Sequence, residues 1–347
     1  MKIIIISILL LCFLVLPVSA VEYTAPTAPE SAQPYMPPEQ ENFAQGLLYI
    51  IKEALSRLNP ELTEATKLCL SVIVIVLIAG VMQSITDVSV NVVRLTTSVC
   101  IGIILLGSTN TLIQLASTTV KELTDYGKLL LPVMTAAMAA QGGVTSSAAL
   151  YMGTVFFVAL LSSVITKLII PTVYIYLCLC IANCAIEQDV LKKSKDFIKW
   201  GMTWILKIIL YVFTGYISIT GVISGVVDAS SLKAAKLTLS GVVPVVGSIL
   251  SDATETILVS ASIMKSTAGV YGILAIFALC ISPFLHIGIQ YILIKFTGAM
   301  CNMFGSKPVV KLIEDFGTGM GFALAATGSV CIMLLISLVC FLRGIGV

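Results

Sequence analysis

Long apolar segments separated by short polar ones occupy most of the chain. Several contain windows of about 18 apolar residues, the length that crosses a bilayer as a helix. The pattern predicts an all-α polytopic bundle of about seven transmembrane spans, within a range of about six to eight. The segments are 68–86, 95–116, 129–143, 146–166, 168–186, 204–227, a broken region at 237–263, 268–294 and 317–342.

Four prolines mark corresponding places in two parts of this pattern. The spacing from Pro132 to Pro171 equals that from Pro244 to Pro283. These residues are candidate helix breaks or packing points, because proline removes a backbone donor and clashes with the preceding turn. The bundle at 68–347 therefore either contains two parallel repeats, about 95–203 and 204–342, or has no internal repeat.

Gly142 and Gly143 form a second candidate break or packing device, at the end of segment 129–143. Glycine adopts backbone angles closed to other residues and permits close helix approach. Segments 129–143 and 146–166 both cross the membrane, or they form one re-entrant hairpin. The sequence leaves both alternatives open, and a re-entrant backbone is tolerated only where protein or a wet cavity surrounds it.

The N-terminal region differs in composition from the bundle. Residues 1–20 combine Lys2, an apolar stretch and small residues before Ala20, which predicts a signal peptide, with an uncleaved anchor as the alternative. Residues 21–42 hold five prolines and four glutamates and predict an extended extracytoplasmic linker. Residues 43–67 predict an amphipathic helical segment that Pro60 ends or interrupts.

Charge sets the predicted orientation and limits the partners. The loop 187–203 is rich in lysine, and Lys307 and Lys311 follow a later span, so the positive-inside rule places both regions in the cytoplasm. Only 11% of residues are charged, 58% are apolar, and the mean hydropathy is +1.06. The scattered charges form no basic stripe, which argues against nucleic acid as a partner.

One stretch, 241–261, places carboxylates between apolar segments. Asp252 and Glu255 share a helix face, with Ser248 and Ser251 one turn earlier. At membrane depth these four residues would face a wet pathway or a partner, because an ionised group in lipid is costly. Alternatively, the stretch is a shallow extracytoplasmic hairpin in which both carboxylates are solvated.

The remaining polar and small residues also allow two interpretations. His286, the single histidine, is a candidate polar interior residue, as a proton relay or as a hydrogen-bond partner of a neighbouring helix. The glycines Gly221 and Gly225, and the series Gly317, Gly319 and Gly321, permit close helix packing, within the chain or in self-association. The cysteines lack metal-site spacing and are predicted to be apolar fillers.

Signatures of enzymes are missing from the sequence. It contains no G-x-x-x-x-G-K-[ST], H-E-x-x-H or G-x-S-x-G motif. We therefore expect no catalytic residues, no cofactor and no metal site. If the protein works by consuming energy, another component must supply that energy.

Three blocks carry a resemblance to a known family: "LLPVMTAAMAAQGGVTSSAALY" (130–151), "VVPVVGSILSDATETILVSASIMKSTAGVYGIL" (242–274) and "LIEDFGTGMGFALAATGSV" (312–330). In this order, after an exported acidic segment, they resemble the stage III sporulation protein AE family. The resemblance implies a multi-pass protein of the mother-cell membrane surrounding the forespore. It also implies partners among the other stage III A-series proteins, including a separate ATPase.

The resemblance further implies a permease-like or platform subunit of a channel complex between mother cell and forespore, needed for late forespore development. The alternative from the residues is an autonomous secondary transporter of a small solute. The predicted repeat and the pair Asp252 and Glu255 would be the evidence for that alternative.

Overall fold

All regular structure in the part of the chain described by the computed structural model is helical. The signal peptide predicted at 1–20 lies outside that part, which comprises residues 25–38, 43–85, 89–140, 144–223 and 267–344. The helices are α1 (Phe43–Ser56), α2 (Asn59–Ile85), α3 (Val90–Ala140), α4 (Val144–Val164), α5 (Ile170–Ile186), α6 (Asp189–Ile223), α7 (Thr267–Cys301) and α8 (Lys307–Gly344).

Six stretches of the described residues are long and apolar enough to cross a membrane. By helix length and composition the chain is a multi-pass membrane protein, and the all-α prediction is confirmed. Six is the lower end of the predicted range, with residues 224–266 outside the described part. The stretches are Asn59–Ser84, Asn91–Ala140, Ser147–Ile186, Asp189–Ile219, Gly269–Cys301 and Lys307–Leu342.

Helix α3 joins two segments that the apolar pattern separates, 95–116 and 129–143. Its 51 residues correspond to roughly 75 Å, whereas a bilayer with its headgroups measures about 40–45 Å. The polar residues between the two segments remain helical because Val120, Leu123 and Tyr126 turn inward and are buried. Helix α3 therefore extends well beyond the thickness of a membrane.

Two of the candidate break points do not end a helix. Pro132 lies inside α3 and Pro283 inside α7. Helices tolerate proline at membrane depth where neighbouring helices and local adjustments satisfy the freed backbone groups. The packing alternative for these two prolines stays a prediction. Pro244 lies outside the described residues.

Pro171 is accommodated in a different way. It stands in the first turn of α5, directly after a π-turn at Ile165–Ile169 in which the Ile170 N–H donates to the Ile165 carbonyl. Proline lacks an N–H and its ring clashes with the carbonyl four residues earlier, so the wider π-turn takes up the distortion. Helices α4 and α5 consequently form one continuous stretch where the sequence pattern predicts two segments.

Helix α8 lies at the centre of the bundle, packed against α7, α3, α5 and α4. Its glycine series is used inside the chain. A Cβ on Gly319 would stand 2.8 Å from Leu177, and one on Gly321 would stand 3.3 Å from the Tyr291 ring. This face therefore serves internal packing, which is the first of the two predicted uses. Gly225, in the other predicted pair, lies outside the described residues.

The described part of the proline-rich linker packs on the bundle instead of standing free. The Tyr126 hydroxyl donates to the Pro26 carbonyl at 3.4 Å, and the Ala28 N–H donates to the Tyr271 hydroxyl at 3.2 Å. Ser31 donates to Glu122 at 2.6 Å. Small side chains and backbone groups make these contacts, so the linker needs no core of its own to be held against α3 and α7.

The predicted orientation can be checked by thiol labelling. Ser194→Cys should resist a membrane-impermeant thiol reagent in intact cells and react after permeabilisation, because lysine-rich loops stay in the cytoplasm. Ser31→Cys, in the linker that is predicted to be extracytoplasmic, should react in intact cells. The exposed Cys100 and Cys178 are replaced first. Ready labelling at position 194 in intact cells would overturn the orientation.

Candidate functional site

The lysine-rich end of the bundle is organised by the turn between α5 and α6. Glu187 ends α5 in the left-handed conformation, with φ of 54°, and its N–H donates to the Asn183 carbonyl at 2.9 Å. This conformation is unfavourable for a residue with a Cβ. The Glu187 carboxylate forms an ion pair with Arg94 of α3, which holds the turn in place. The turn sends α6 back along α5.

Two turns into α6, a buried ion pair joins this helix to α8. The Lys195 ammonium donates to Oδ2 of Asp315 at 2.5 Å, and the two side chains are only 3% and 5% exposed. The Tyr176 hydroxyl of α5 donates to Oδ1 of the same carboxylate at 3.3 Å. Asp315 thus accepts a bond from each of two other helices, which satisfies the charge that the bundle buries.

More exposed lysines surround this pair. Lys311 lies 3.3 Å from Glu314 and 3.8 Å from Asp315, at the surface of α8. Lys295 of α7 donates to the Glu314 carbonyl at 3.0 Å. A Cβ on Gly317 would stand 3.0 Å from the Lys295 side chain, so this glycine leaves room for the lysine stem.

We call Lys195, Asp315, Tyr176, Lys311 and Lys295 the ionic cluster. It brings together side chains from α5, α6, α7 and α8 and fixes where these four helices meet. Within the described residues no group of three or more histidine, cysteine or carboxylate side chains could hold a metal ion. The chemistry of the cluster is electrostatic: it neutralises a buried carboxylate and leaves cations on the rim.

Asp315 is not a predicted site residue, and in the sequence Lys195 is only one of several charges in a lysine-rich loop. Asp315 stands in "LIEDFG", where it reads as the solvated edge of an apolar segment. One feature of the sequence does point to Asp315. Its carboxylate directly precedes a long apolar run, and the lysine-rich loop 187–203 offers cations that could pair with it. Only the fold shows which lysine reaches it.

His286 lies between helices rather than in an isolated polar pocket. Its Nε2 atom is 3.4 Å from Oε1 of Glu61, which belongs to the first turn of α2. Gln290 lies one turn further along α7 and is buried. The contact between His286 and Glu61 joins α7 to α2, and a proton-relay role for His286 stays a prediction.

Most of the other predicted site residues fall outside the described part of the chain, and their roles stay predictions. They are Ser248, Ser251, Asp252, Glu255, Gly142 and Gly143.

Comparison with known proteins identifies relatives across most of the chain. The family model for stage III sporulation protein AE matches residues 38–343. A protein from Bacillus subtilis (strain 168) named stage III sporulation protein AE is 24% identical over 236 residues, which cover 68% of this chain and 59% of that relative. No solved structure matches. Since the family model covers nearly the whole chain, the protein belongs to the stage III sporulation protein AE family.

Proposed function

We propose that this protein is a non-enzymatic membrane subunit, permease-like or platform-like, of a channel complex between mother cell and forespore. Its place is the mother-cell membrane around the forespore, and late forespore development depends on it. Other stage III A-series proteins are its partners, among them a separate ATPase. Membership of the stage III sporulation protein AE family over residues 38–343 carries this proposal.

The architecture supports a platform. The ionic cluster ties four helices together at the lysine-rich end, and the linker residues 25–38 bind α3 and α7 at a distance from it. Helix α3, with its 51 residues, exceeds the bilayer in length, so part of the bundle stands outside the membrane where partners can reach it. The sequence carries no nucleotide-binding motif, and a separate ATPase would supply the energy.

Co-purification from sporulating cells tests the proposal. A tagged chain that replaces the native protein should bring down the other A-series proteins and the ATPase after chemical cross-linking. The same chain, purified and placed in liposomes without partners, should transport no small solute. Solute uptake by the protein alone, with no A-series protein recovered, would favour the autonomous transporter and contradict the proposal.

We propose that the carboxylates of Asp252 and Glu255, in the stretch 241–261, face a polar transport pathway or bind a partner protein. Asp252→Asn with Glu255→Gln keeps side-chain shape and removes both charges, and a neutral amide does not carry the cost of an ionised group in lipid, about 2.5–3.5 kcal/mol. We expect normal accumulation in the membrane, with forespore development stopped after engulfment. Normal spores would show that both carboxylates are solvated surface. Loss of the protein from the membrane would show a structural pairing instead.

A further inference from the structure

The outer face of α6 changes character along its length. Two lysines come first, then aromatic side chains with a third lysine among them, and then exposed aliphatic side chains. We call the three exposed lysines the lysine cluster (Lys192, Lys193 and Lys199) and the three aromatic side chains the aromatic patch (Phe197, Trp200 and Trp204). The aliphatic group comprises Ile208, Val212 and Ile219.

The aromatic patch is exposed and ordered. Phe197, Trp200 and Trp204 are 69%, 56% and 47% exposed. Phe197 stacks on Trp200 with ring centroids 5.9 Å apart, and Trp200 stands 6.2 Å from Trp204. Both tryptophans of the chain are in this patch. Because about half or more of each side chain is exposed, no other helix of the described residues covers them.

The order of these three groups matches the layers of a membrane boundary. Lysines favour the aqueous side next to anionic headgroups, tryptophans favour the headgroup layer, and aliphatic side chains favour the hydrocarbon. From Trp204 to Ile219 an α-helix rises roughly 22 Å, which fits within a hydrocarbon core of about 30 Å. Lys207 is half-buried and close enough to the boundary for its ammonium to reach the headgroups.

We propose that the aromatic patch and the lysine cluster together form a binding surface for anionic phospholipid headgroups. The patch lies in the headgroup layer of one leaflet, and the lysines bind lipid phosphates on its aqueous side. Helix α6 enters the membrane at Trp204 and leaves the ionic cluster on the aqueous side of this boundary. Charge complementarity selects the occupant, because exposed lysines next to exposed indoles match a negatively charged interface.

Fluorescence of the two tryptophans can measure their depth. In Trp200→Phe the only tryptophan is Trp204, and in Trp204→Phe it is Trp200. The full chain is reconstituted into phosphatidylcholine–phosphatidylglycerol vesicles whose acyl chains carry bromine either near the glycerol or near the chain end. The shallow bromine should quench both variants more than the deep one does.

Trp204 should also lie deeper than Trp200 by roughly 6 Å, the rise of four residues. The ratio of deep to shallow quenching should therefore be higher in Trp200→Phe than in Trp204→Phe. Equal ratios would mean that α6 lies flat on the surface, which would overturn the entry point. If brominated lipid quenches neither variant, the headgroup site is overturned. This holds both when aqueous iodide quenches the tryptophans and when protein shields them from iodide and lipid alike.

Lipid preference tests the lysine cluster separately. Brominated phosphatidylglycerol should quench more than brominated phosphatidylcholine at equal mole fraction. In the triple variant Lys192→Gln, Lys193→Gln and Lys199→Gln this preference should fall by about fivefold or more, the factor for one or more lysine–headgroup contacts. The control variant Lys128→Gln, an exposed lysine on α3, should keep the preference. An unchanged preference in the triple variant would contradict anionic headgroup binding.

Discussion

Lys195→Met should destabilise the bundle strongly, because it leaves the Asp315 carboxylate buried without its cation. Removing one partner of a buried pair costs about 3–5 kcal/mol, a large part of a typical stability of about 5–15 kcal/mol. Asp315→Leu should have a similar effect, because it leaves the Lys195 ammonium buried without its carboxylate partner. The measurements are the amount of protein in the membrane and the free energy of unfolding in detergent.

The double variant Lys195→Met with Asp315→Leu should recover much of that loss. It buries apolar side chains in place of both charges, and such replacements are often neutral or stabilising. Recovery is incomplete, because the Tyr176 hydroxyl loses its acceptor. Lys311→Met is the matched control: this lysine is 55% exposed and should contribute no more than about 1 kcal/mol. If the two single effects simply add in the double variant, Lys195 and Asp315 do not form an energetically coupled pair.

Gly153→Ala should be the most damaging conservative change on α4. A Cβ at this position would stand 1.9 Å from the Tyr216 ring of α6. That ring is fixed by the Tyr216 hydroxyl, which donates to the Ala149 carbonyl at 2.7 Å, and by packing on Phe157 at 5.6 Å. The added methyl must move the ring or separate α4 from α6. We expect about 1–3 kcal/mol from overpacking, and more if the hydrogen bond breaks.

A neighbouring glycine provides the control for this change. Gly215→Ala adds the same methyl beside Tyr216 on α6, where no atom of another helix lies within 4 Å, and should leave stability unchanged or raise it by up to about 1 kcal/mol, because alanine favours a helix more than glycine does. Tyr216→Leu combined with Gly153→Ala should recover part of the loss by removing the ring. Unfolding in detergent, followed by circular dichroism, measures all three variants. Equal stability of the Gly153→Ala protein and its parent would contradict the close packing of α4 on α6.

Apolar run length was enough to predict an all-helical membrane bundle, because a bilayer imposes the length of its spans. It was not enough to predict where helices end. Pro132 and Pro283 resemble breaks in the sequence, yet both lie within helices, as proline can at membrane depth when other groups satisfy the freed backbone. The polar residues after position 116 resemble a loop, yet the buried Val120, Leu123 and Tyr126 keep them helical.

The ionic cluster could not be predicted for a related reason. Lys195 and Asp315 are 120 positions apart, and their pairing depends on how α6 and α8 cross. The sequence does show that each is a charge at the edge of an apolar segment. It does not show which of several nearby charges turns inward, since that choice depends on a rotation of each helix about its own axis. The spacing of Phe197, Trp200 and Trp204 puts them close together on one helix, but only the fold shows that this side of α6 is exposed.

The length of α3 also sets a lower limit on the longest dimension of the particle. A chain of 347 residues folded as a sphere would have a radius of gyration of about 20 Å and a diameter of about 50 Å. A helix of roughly 75 Å cannot fit inside such a sphere, so at least one dimension of the molecule exceeds that diameter. A detergent micelle covers a band about as thick as a bilayer, about 40–45 Å, and leaves the rest of α3 projecting from it. Protein outside the micelle provides features by which single-particle electron-microscopy images can be aligned. Images of this small membrane protein should therefore align without an added antibody fragment.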